Sequence, residues 1–533
     1  MLGARAEIRA IPPFVAACLF AVVALGLVLR FAQYGHDREF WEDEAVLAVE
    51  IIQKTPLELT GVLAHDMNYP IGFLLVEKLM LALFGASEYA FRVFPLLAGL
   101  LSIVYFARLA WVFALSDRGA DKAQTTLDTW GVVLVAVLCF SANKHLIYYS
   151  SELRQYAFEL LSACMVYVLA GTSQMGSRST REIHTRIVAL SLFAIIAVWI
   201  SLTVVYVLAA ATLVQAWSLR ARENRRSLML LVGGSALWGI SFLFHYGLIK
   251  SHIAAQDMAG NLQRYSAYMS PPLPPTSFAE LQMLRESIEH LFYYPGGMTF
   301  IGLAIFTFGL GSLSLWKRDK PLFWMLLLPV LFAGLASALH QYPFRGRYLL
   351  FIIPAMCLLL GEGVGVFWRR DGAGLRPAGY LLAFMLLAQP LAHGLGVLKE
   401  PRTGPGGGSH TTQVLAYIQE HWQQGDRIFV HASQRSTFLY YKDHYSVRDE
   451  DYVLDDTATK FFALEIEPFR LPESVRSFSG NLSGSGRFWM LSLGDMDPDI
   501  LQPALAAAGA NREPLDTFRT PEGNVLVLYS WKP

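Results

Sequence analysis

The sequence reads Phe40-Trp41-Glu42-Asp43-Glu44-Ala45-Val46-Leu47 directly after its first long apolar run. Asp43 and Glu44 are adjacent carboxylates at the point where a membrane helix ends and a short amphipathic helix begins. Acidic groups beside aromatic side chains at a membrane face indicate chemistry on a molecule that the membrane holds. Asp43 is therefore our candidate for a catalytic base, which takes a proton from an attacking hydroxyl. Acidic residues in a first helical turn also cap the helix and complement its dipole, which is the competing interpretation.

The composition predicts a polytopic α-helical membrane protein. Of 533 residues, 54% are hydrophobic and only 16% are charged, whereas soluble domains carry roughly 25% charged residues. The formal net charge is zero, which argues against a nucleic-acid partner. Every cysteine lies inside an apolar run, so we predict neither a disulfide framework nor a zinc site. The first run, Ile11 to Leu29, has no clear cleavage site and is expected to be a retained helix.

About 20 apolar residues cross a bilayer, and this length predicts about eleven transmembrane helices. The runs are 11–34, 89–114, 129–147, 154–171, 187–203, 204–219, 228–249, 297–315, 321–339, 347–367 and 377–398. If the N-terminus is cytoplasmic, every short loop rich in Lys and Arg falls on the cytoplasmic side. The C-terminus is then outside.

The charge pattern also decides how the segment Tyr69 to Phe84 is placed. This segment is apolar but short, and it contains Glu77 and Lys78. If it crossed the membrane, every later basic loop would face outward, so we predict that it lies along the outer face. The outer loop 35–88 is thus expected to hold two juxtamembrane helices, at roughly 43–54 and 70–84.

The chain changes character near residue 401. We predict a membrane domain at 1–400, a Gly-rich linker at 401–410 and a small soluble α/β domain at 411–533 on the outer side. The expected strands are Arg427–His431, Phe488–Leu493 and Asn524–Ser530, and the expected helices are Thr411–Gln424, Ser433–His444 and Asp497–Ala508.

Polar residues that could build a site collect in the predicted outer loops. Carboxylates, arginines and tyrosines at one depth suit a site that activates a hydroxyl and holds an anionic lipid headgroup. The candidates besides the acidic pair are His65, Asp66, Tyr69, Tyr149, Glu152, Arg154, Tyr156, Arg345, Arg347 and Tyr348. The last three also suit interfacial anchoring, and Tyr149 also suits an aromatic belt. A divalent metal is left open, because the available ligands match no metal motif: His65, Asp66, His252, Asp257, Glu289 and His290.

Several of these residues stand in motifs that resemble a known group. The motifs are Trp41-Glu42-Asp43-Glu44-Ala45, Leu83-Phe84-Gly85-Ala86-Ser87-Glu88-Tyr89-Ala90-Phe91-Arg92, Ser151-Glu152-Leu153-Arg154-Gln155-Tyr156 and Arg347-Tyr348-Leu349-Leu350-Phe351-Ile352-Ile353-Pro354-Ala355. Their order over residues 1–400 resembles the GT-C glycosyltransferases that use polyprenyl-phosphate sugars. The branch is glycosyltransferase family 39 and its relatives, with protein O-mannosyltransferases, the lipid A aminoarabinose transferase and lipopolysaccharide core sugar transferases.

The resemblance implies an inverting transferase in the bacterial inner membrane, with its active site on the outer face and its C-terminal domain in the periplasm. Asp43 matches the key aspartate of the group, and Glu152 is the nearest counterpart of a second acidic residue. One departure is Tyr69-Pro70-Ile71, where relatives commonly have Pro-Pro-Leu. The implied partners are a polyprenyl-phosphate-linked sugar and a glycan, lipid or protein acceptor of the cell envelope. The resemblance names neither the sugar nor the acceptor.

The expected mechanism follows from these assignments. Asp43 takes the proton of the acceptor hydroxyl, Glu44 orients the acceptor or tunes Asp43, and Arg345 or Arg347, with Arg154, stabilises the departing phosphate. The alternative is a transporter or lipid flippase that uses the outer carboxylates as ion sites. Transporters usually place such sites at mid-membrane within inverted repeats, whereas these spans carry few charges at mid-depth and show no repeat. A binding or assembly role for the C-terminal domain is a third alternative.

Overall fold

The computed structural model describes residues 12–63, 69–115, 126–171, 179–255, 268–369, 374–403, 410–431, 434–454, 487–493, 514–520 and 524–530. Its first ten helices are α1 (Pro13–Gly35), α2 (Glu42–Gln53), α3 (Ile71–Phe84), α4 (Glu88–Leu115), α5 (Thr126–Ala142), α6 (Lys144–Tyr149), α7 (Tyr156–Ala170), α8 (Thr180–Ile200), α9 (Val204–Ala221) and α10 (Arg225–Ala255). The membrane part continues with α11 (Phe278–Tyr293), α12 (Ile301–Arg318), α13 (Lys320–Ala338), a 3-10 helix (Gly346–Ile352), α14 (Ile353–Arg369) and α15 (Arg376–Gly396).

Helices lie at all the apolar runs that the sequence predicts to cross a membrane. Within the described ranges, eight of them are long and apolar enough to do so. The remaining runs coincide with α12 and with two shorter apolar helices, Asp128–Ala142 and Tyr156–Ala170. The protein is therefore membrane-embedded, as its composition predicts.

The two juxtamembrane helices are present close to their predicted bounds. α3 starts directly after Pro70 and is followed by Gly85, whose φ of 81° lies in the left-handed region that glycine tolerates,. Its 14 residues span about 21 Å at 1.5 Å per residue, which is too short for a hydrocarbon core of about 30 Å. Leu79 and Leu83 are exposed on it, which agrees with a helix lying on the membrane surface.

The 3-10 helix and α14 run through the centre of the bundle, and close helix packing fixes them there. Gly311 of α12 and Gly363 of α14 face the partner helix, and a Cβ at either position would collide with the partner's backbone,. α14 also packs on α5 and α15, while the 3-10 helix packs on α7. This packing fixes the position of Arg347, the second residue of the 3-10 helix.

The C-terminal part is an α/β domain, as predicted. Its described elements are α16 (Thr411–His421), β1 (Arg427–Val430), α17 (Arg435–Tyr441), a 3-10 helix (Lys442–Tyr445), β2 (Tyr452–Leu454), β3 (Arg487–Leu493), β4 (Asp516–Arg519) and β5 (Asn524–Ser530). The strand order is β2-β1-β3-β5-β4. β1 is parallel to β2 and β3, whereas β5 is antiparallel to β3 and β4. The sequence did not predict β2 or β4, and the predicted helix Asp497–Ala508 lies outside the described residues.

The C-terminal domain packs directly on the first loop of the membrane part. Its α17 lies against α2, and Phe438 shares one hydrophobic core with Phe40 and Phe73. The Tyr441 hydroxyl accepts a hydrogen bond from the Phe40 amide at 2.9 Å and donates one to Glu88 Oε1 at 2.7 Å. One hydroxyl thus joins the chain entering α2 to the first residue of α4.

Candidate active site

The first turn of α2 carries Glu42, Asp43 and Glu44, and none of them is needed as an N-cap. Trp41 occupies the cap position in an extended conformation, and its side chain makes no capping hydrogen bond. Successive helical residues differ by about 100° in direction, so the three carboxylates point to three different surroundings. Each therefore has its own partners, and capping alone does not account for them.

Asp43 lies between two arginines at the end of the bundle that carries α2 and α3, here called the site end. Its Oδ2 is 2.9 Å from a guanidinium nitrogen of Arg154 and 2.9 Å from one of Arg347. Arg154 also donates to the Asp43 backbone carbonyl at 3.0 Å. Oδ1 makes no hydrogen bond with any described residue. Asp43 is 2% exposed, so one oxygen of a buried carboxylate remains unused.

Glu44 faces a different side of α2, and both its oxygens are occupied. Arg38 donates to it at 2.8 and 3.3 Å, Arg92 at 2.9 and 3.1 Å, and the Leu153 amide at 2.9 Å. Burial tends to raise the pKa of Glu44, but the guanidinium groups of Arg38 and Arg92 outweigh that effect and hold the pKa below its ordinary value,. Glu44 thus ties α2 to α4 and to the segment before α7.

Glu152 lies in the segment between α6 and α7 and is fully buried. Its Oε1 accepts hydrogen bonds from Trp41 Nε1 at 3.2 Å and from the Tyr148 hydroxyl at 3.1 Å, whereas Oε2 has no partner. Burial, followed by the charge of Glu44, raises the pKa of Glu152 to about 7,. The Trp41 ring also lies 5.7 Å from the Arg347 guanidinium carbon. Trp41 therefore connects the second carboxylate to the arginine that binds Asp43.

Glu42 points into the C-terminal domain, where its Oε1 accepts a hydrogen bond from the Ser436 amide at 3.4 Å. Burial raises the pKa of Glu42 to about 8,. This carboxylate belongs to the contact between α2 and α17 and is not part of the arginine cluster around Asp43.

Arg347 reaches Asp43 because the preceding residue is glycine. Gly346 has φ of 58°, and a Cβ there would lie 2.6 Å from the Tyr294 ring, so no larger residue fits. The Arg347 guanidinium carbon is 5.9 Å from the Tyr156 ring centre and 5.8 Å from the Tyr348 ring centre. A fifth of the Arg347 side chain is exposed, and Asp43 is its hydrogen-bond acceptor. Its remaining N–H groups are available to an anion.

The other predicted binding residues fall into three groups, namely the tyrosines around the cluster, Arg345, and two residues that are not described. Four of them border the cluster: the Tyr69 hydroxyl accepts a hydrogen bond from Arg154, the Tyr149 ring lies 5.3 Å from the Tyr156 ring, and the Tyr348 ring lies 6.3 Å from the Tyr156 ring. Arg345 is exposed and close to His290. His65 and Asp66 lie outside the described residues.

Two arginines that bind Glu44, Arg38 and Arg92, had no role predicted from the sequence. Arg92 stands four residues into a predicted span, and charges at span ends usually have partners, so its position was a usable signal. Arg38 has no comparable signal in the sequence. It lies in a loop before α2, where no periodic pattern pairs it with Glu44, and its other partner, the Ser151 carbonyl, is 113 residues away. Within the described ranges, no group of three or more His, Cys, Asp or Glu side chains could hold a metal ion.

Comparison with known proteins identifies the fold. No family model matches the chain, and no curated protein matches it in sequence. The crystal structure of ArnT, an aminoarabinose transferase from Cupriavidus metallidurans, in the apo state aligns with a TM-score of 0.54 at 14% identity, over 96% of this chain and 98% of that one. The same enzyme bound to undecaprenyl phosphate gives 0.54 at 14% identity, over 96% and 97%.

An Archaeoglobus fulgidus oligosaccharyltransferase tethered with an acceptor peptide also aligns, with a TM-score of 0.48 at 9% identity, over 96% of this chain and 74% of that one. At 14% identity, the alignment with the aminoarabinose transferase establishes the fold and nothing finer. The chain has the GT-C fold, as its motifs predicted.

Proposed function

We propose that this membrane protein of the GT-C fold is an inverting glycosyltransferase, which moves a monosaccharide from polyprenyl phosphate to a hydroxyl acceptor of the cell envelope. The observation that carries the proposal is the Asp43 carboxylate: one oxygen is held by Arg154 and Arg347, and the other is unused. A proton acceptor beside cationic groups is what transfer from a lipid phosphate to a hydroxyl requires. We further place the site end on the periplasmic side of the bacterial inner membrane, as the charge pattern of the loops predicts.

The arginines supply the site for the phosphate. Arg347 has N–H groups that Asp43 does not use, and a guanidinium matches phosphate oxygens in its planar geometry. Support also comes from the aminoarabinose transferase of similar fold, whose crystal structure contains bound undecaprenyl phosphate. A lipid phosphate in the same fold would enter from the bilayer beside the spans and meet Arg347 at the site end.

The reaction then balances as a single displacement. The acceptor oxygen forms a bond to the anomeric carbon while the bond from that carbon to the phosphate oxygen breaks. The bonding electrons leave with the polyprenyl phosphate, whose charge Arg347 and Arg154 stabilise. The proton of the acceptor hydroxyl goes to Asp43 Oδ1. Attack from the side opposite the phosphate inverts the configuration.

The other two predicted catalytic carboxylates take supporting parts in this proposal. Both oxygens of Glu44 are occupied by Arg38, Arg92 and Leu153, so Glu44 acts by positioning the start of α2. Glu152 keeps one oxygen without a partner, and that oxygen would orient the acceptor hydroxyl towards Asp43.

The test uses the purified protein in proteoliposomes with a set of synthetic polyprenyl-phosphate monosaccharides and extracted envelope glycans. Asp43→Asn should lower the rate of polyprenyl phosphate release by about 10²- to 10⁴-fold, as expected for loss of a general base. Asp37→Asn is the matched control, because Asp37 is an exposed aspartate in the same loop whose φ of 45° suits asparagine,. Its rate should equal that of the wild type.

Two results would overturn the proposal. One is near-normal turnover in folded Asp43→Asn protein. The other is movement of the lipid-linked sugar across the bilayer with its sugar–phosphate bond intact, which would identify a flippase. Mass spectrometry of envelope glycans and glycoproteins from cells with and without the gene would then identify the acceptor.

A further inference from the structure

A buried carboxyl group that the proposed chemistry does not use lies one helical turn beyond Tyr156. Glu159 is 2% exposed and sits in the first turn of α7. Gln155 and Thr203 lie beside its carboxyl group, and its Oε2 is buried and has no partner. An acidic side chain within a membrane-spanning helix is costly unless it serves a ligand or a partner.

Four tyrosines connect this carboxyl group to Arg347, and we call them the tyrosine enclosure: Tyr156, Tyr206, Tyr342 and Tyr348. Ring centres are 6.3 Å apart between Tyr156 and Tyr348, 6.1 Å between Tyr348 and Tyr342, and 5.7 Å between Tyr342 and Tyr206. The Tyr342 hydroxyl donates to the Tyr348 carbonyl at 3.0 Å, which fixes the two rings relative to each other. The enclosure is therefore a continuous row of amphipathic rings.

Glu159 lies between the two ends of this row, Tyr156 and Tyr206. On α7 it stands three residues after Tyr156, so the two side chains share a helix face. Thr203 precedes α9, and its carbonyl accepts a hydrogen bond from the Tyr206 amide at 3.1 Å, one turn later. Thr203 also lies beside Glu159. Arg347 contacts the tyrosine enclosure at Tyr156 and Tyr348. The cation that would hold the phosphate and the unused carboxyl oxygen thus border one enclosure.

Resting on the proposed function, we infer that Glu159 selects the sugar by accepting a hydrogen bond from a hydroxyl or ammonium group on the sugar edge remote from the anomeric carbon. With the phosphate at Arg347 and the anomeric carbon at Asp43, the body of the sugar lies among the tyrosine rings, which suit its apolar faces. A sugar that carries a carboxylate at that edge would have to bury its charge beside another acidic side chain, and it would be rejected. The enzyme therefore takes neutral or amino sugars and excludes uronic acids.

The experiment compares three polyprenyl-phosphate donors, bearing a neutral hexose, an aminopentose and a hexuronic acid, with wild-type and Glu159→Gln protein in proteoliposomes. Glu159→Gln should lower kcat/KM for whichever of the first two donors the wild type uses by roughly 10- to 100-fold, as expected when a buried polar group of the sugar loses a well-matched hydrogen-bond partner. The same variant should raise kcat/KM for the uronic donor relative to kcat/KM for the donor that the wild type uses. Binding of sugar-free polyprenyl phosphate should not change.

Two variants serve as controls. Glu159→Asp keeps an acidic side chain but shortens it, so this variant should keep the rejection of the uronic donor while it loses activity on the preferred one. Glu77→Gln alters an equally buried carboxyl group on α3, outside the enclosure, whose oxygens also have no described partner. Its donor preference should match that of the wild type.

Unchanged donor preference in folded Glu159→Gln protein would overturn the assignment, and so would a wild type that prefers the uronic donor, which needs no variant to observe. If Glu159→Gln weakened the binding of sugar-free polyprenyl phosphate as much as it weakened sugar transfer, Glu159 would have only a structural role. That result would also overturn the assignment. A wild type that releases polyprenyl phosphate from none of the donors, with any acceptor, would instead refute the proposed function itself.

Discussion

Replacing Glu44 with glutamine tests whether the start of α2 is held by a buried ion-pair network. The Glu44 side chain is 0% exposed and pairs with two guanidinium groups whose side chains are only 10% and 3% exposed. Glutamine keeps the shape, but it removes the charge and turns an NH₂ donor towards Arg38 or Arg92. Breaking one side of a buried pair typically destabilises a protein by about 3–5 kcal/mol, because the remaining charge is left buried without compensation.

The assay is thermal unfolding of the detergent-purified protein, followed by intrinsic fluorescence. Glu289→Gln is the control, since Glu289 lies on the exposed face of α11 and forms an i,i+4 pair with Arg285 at 3.6 Å, with both side chains largely in contact with solvent. Such a pair contributes about 0.3–0.5 kcal/mol, so the control should unfold near the wild-type temperature. Equal unfolding temperatures for the two variants would refute the idea that Glu44 holds α2 in place.

Two further predictions concern groups around the same helix. Because burial raises the pKa of Glu152 from 4.5 to about 7, the folded protein retains a proton that the unfolded chain releases, and its stability falls as pH rises through that interval. Glu152→Gln should remove this fall, so the unfolding temperature of the variant relative to the wild type should rise with pH; parallel pH profiles would contradict the reasoning. Tyr441→Phe should lower stability by about 1–3 kcal/mol and speed hydrogen exchange in the peptide 40–54. Tyr452→Phe, which removes an exposed hydrogen bond to Asp449 in the same domain, should leave exchange in that peptide unchanged.

Local signals in the sequence were sufficient to predict the helices around the site. Pro70 and Gly85 bound α3, and the predicted range 70–84 differs from the observed one by a single residue. A short apolar run with two charges, together with the distribution of basic loops, was enough to keep this helix out of the count of spans. The strand β2 was missed because its three residues, Tyr452–Leu454, are too few to show a period.

Contacts between distant segments could be predicted only where chemistry demanded them. A catalytic carboxylate and phosphate-binding arginines were expected to meet, and Asp43 and Arg347 do lie 2.9 Å apart. No chemical requirement of the expected reaction predicted the ion pair between Glu44 and Arg92 or the hydrogen bond between Phe40 and Tyr441. Such contacts depend on how helices pack in three dimensions, which no periodicity records.

The hydrogen bond between Phe40 and Tyr441 has a consequence for biogenesis. It joins residues 401 positions apart, and at roughly 5–20 residues per second a ribosome needs about 20–80 s to make the intervening chain. During that time the acidic turn of α2 has already emerged, but the domain that packs against it does not yet exist. Completion of this contact must therefore wait for translation of a distant segment, which gives the nascent protein a built-in delay before α2 is fully packed.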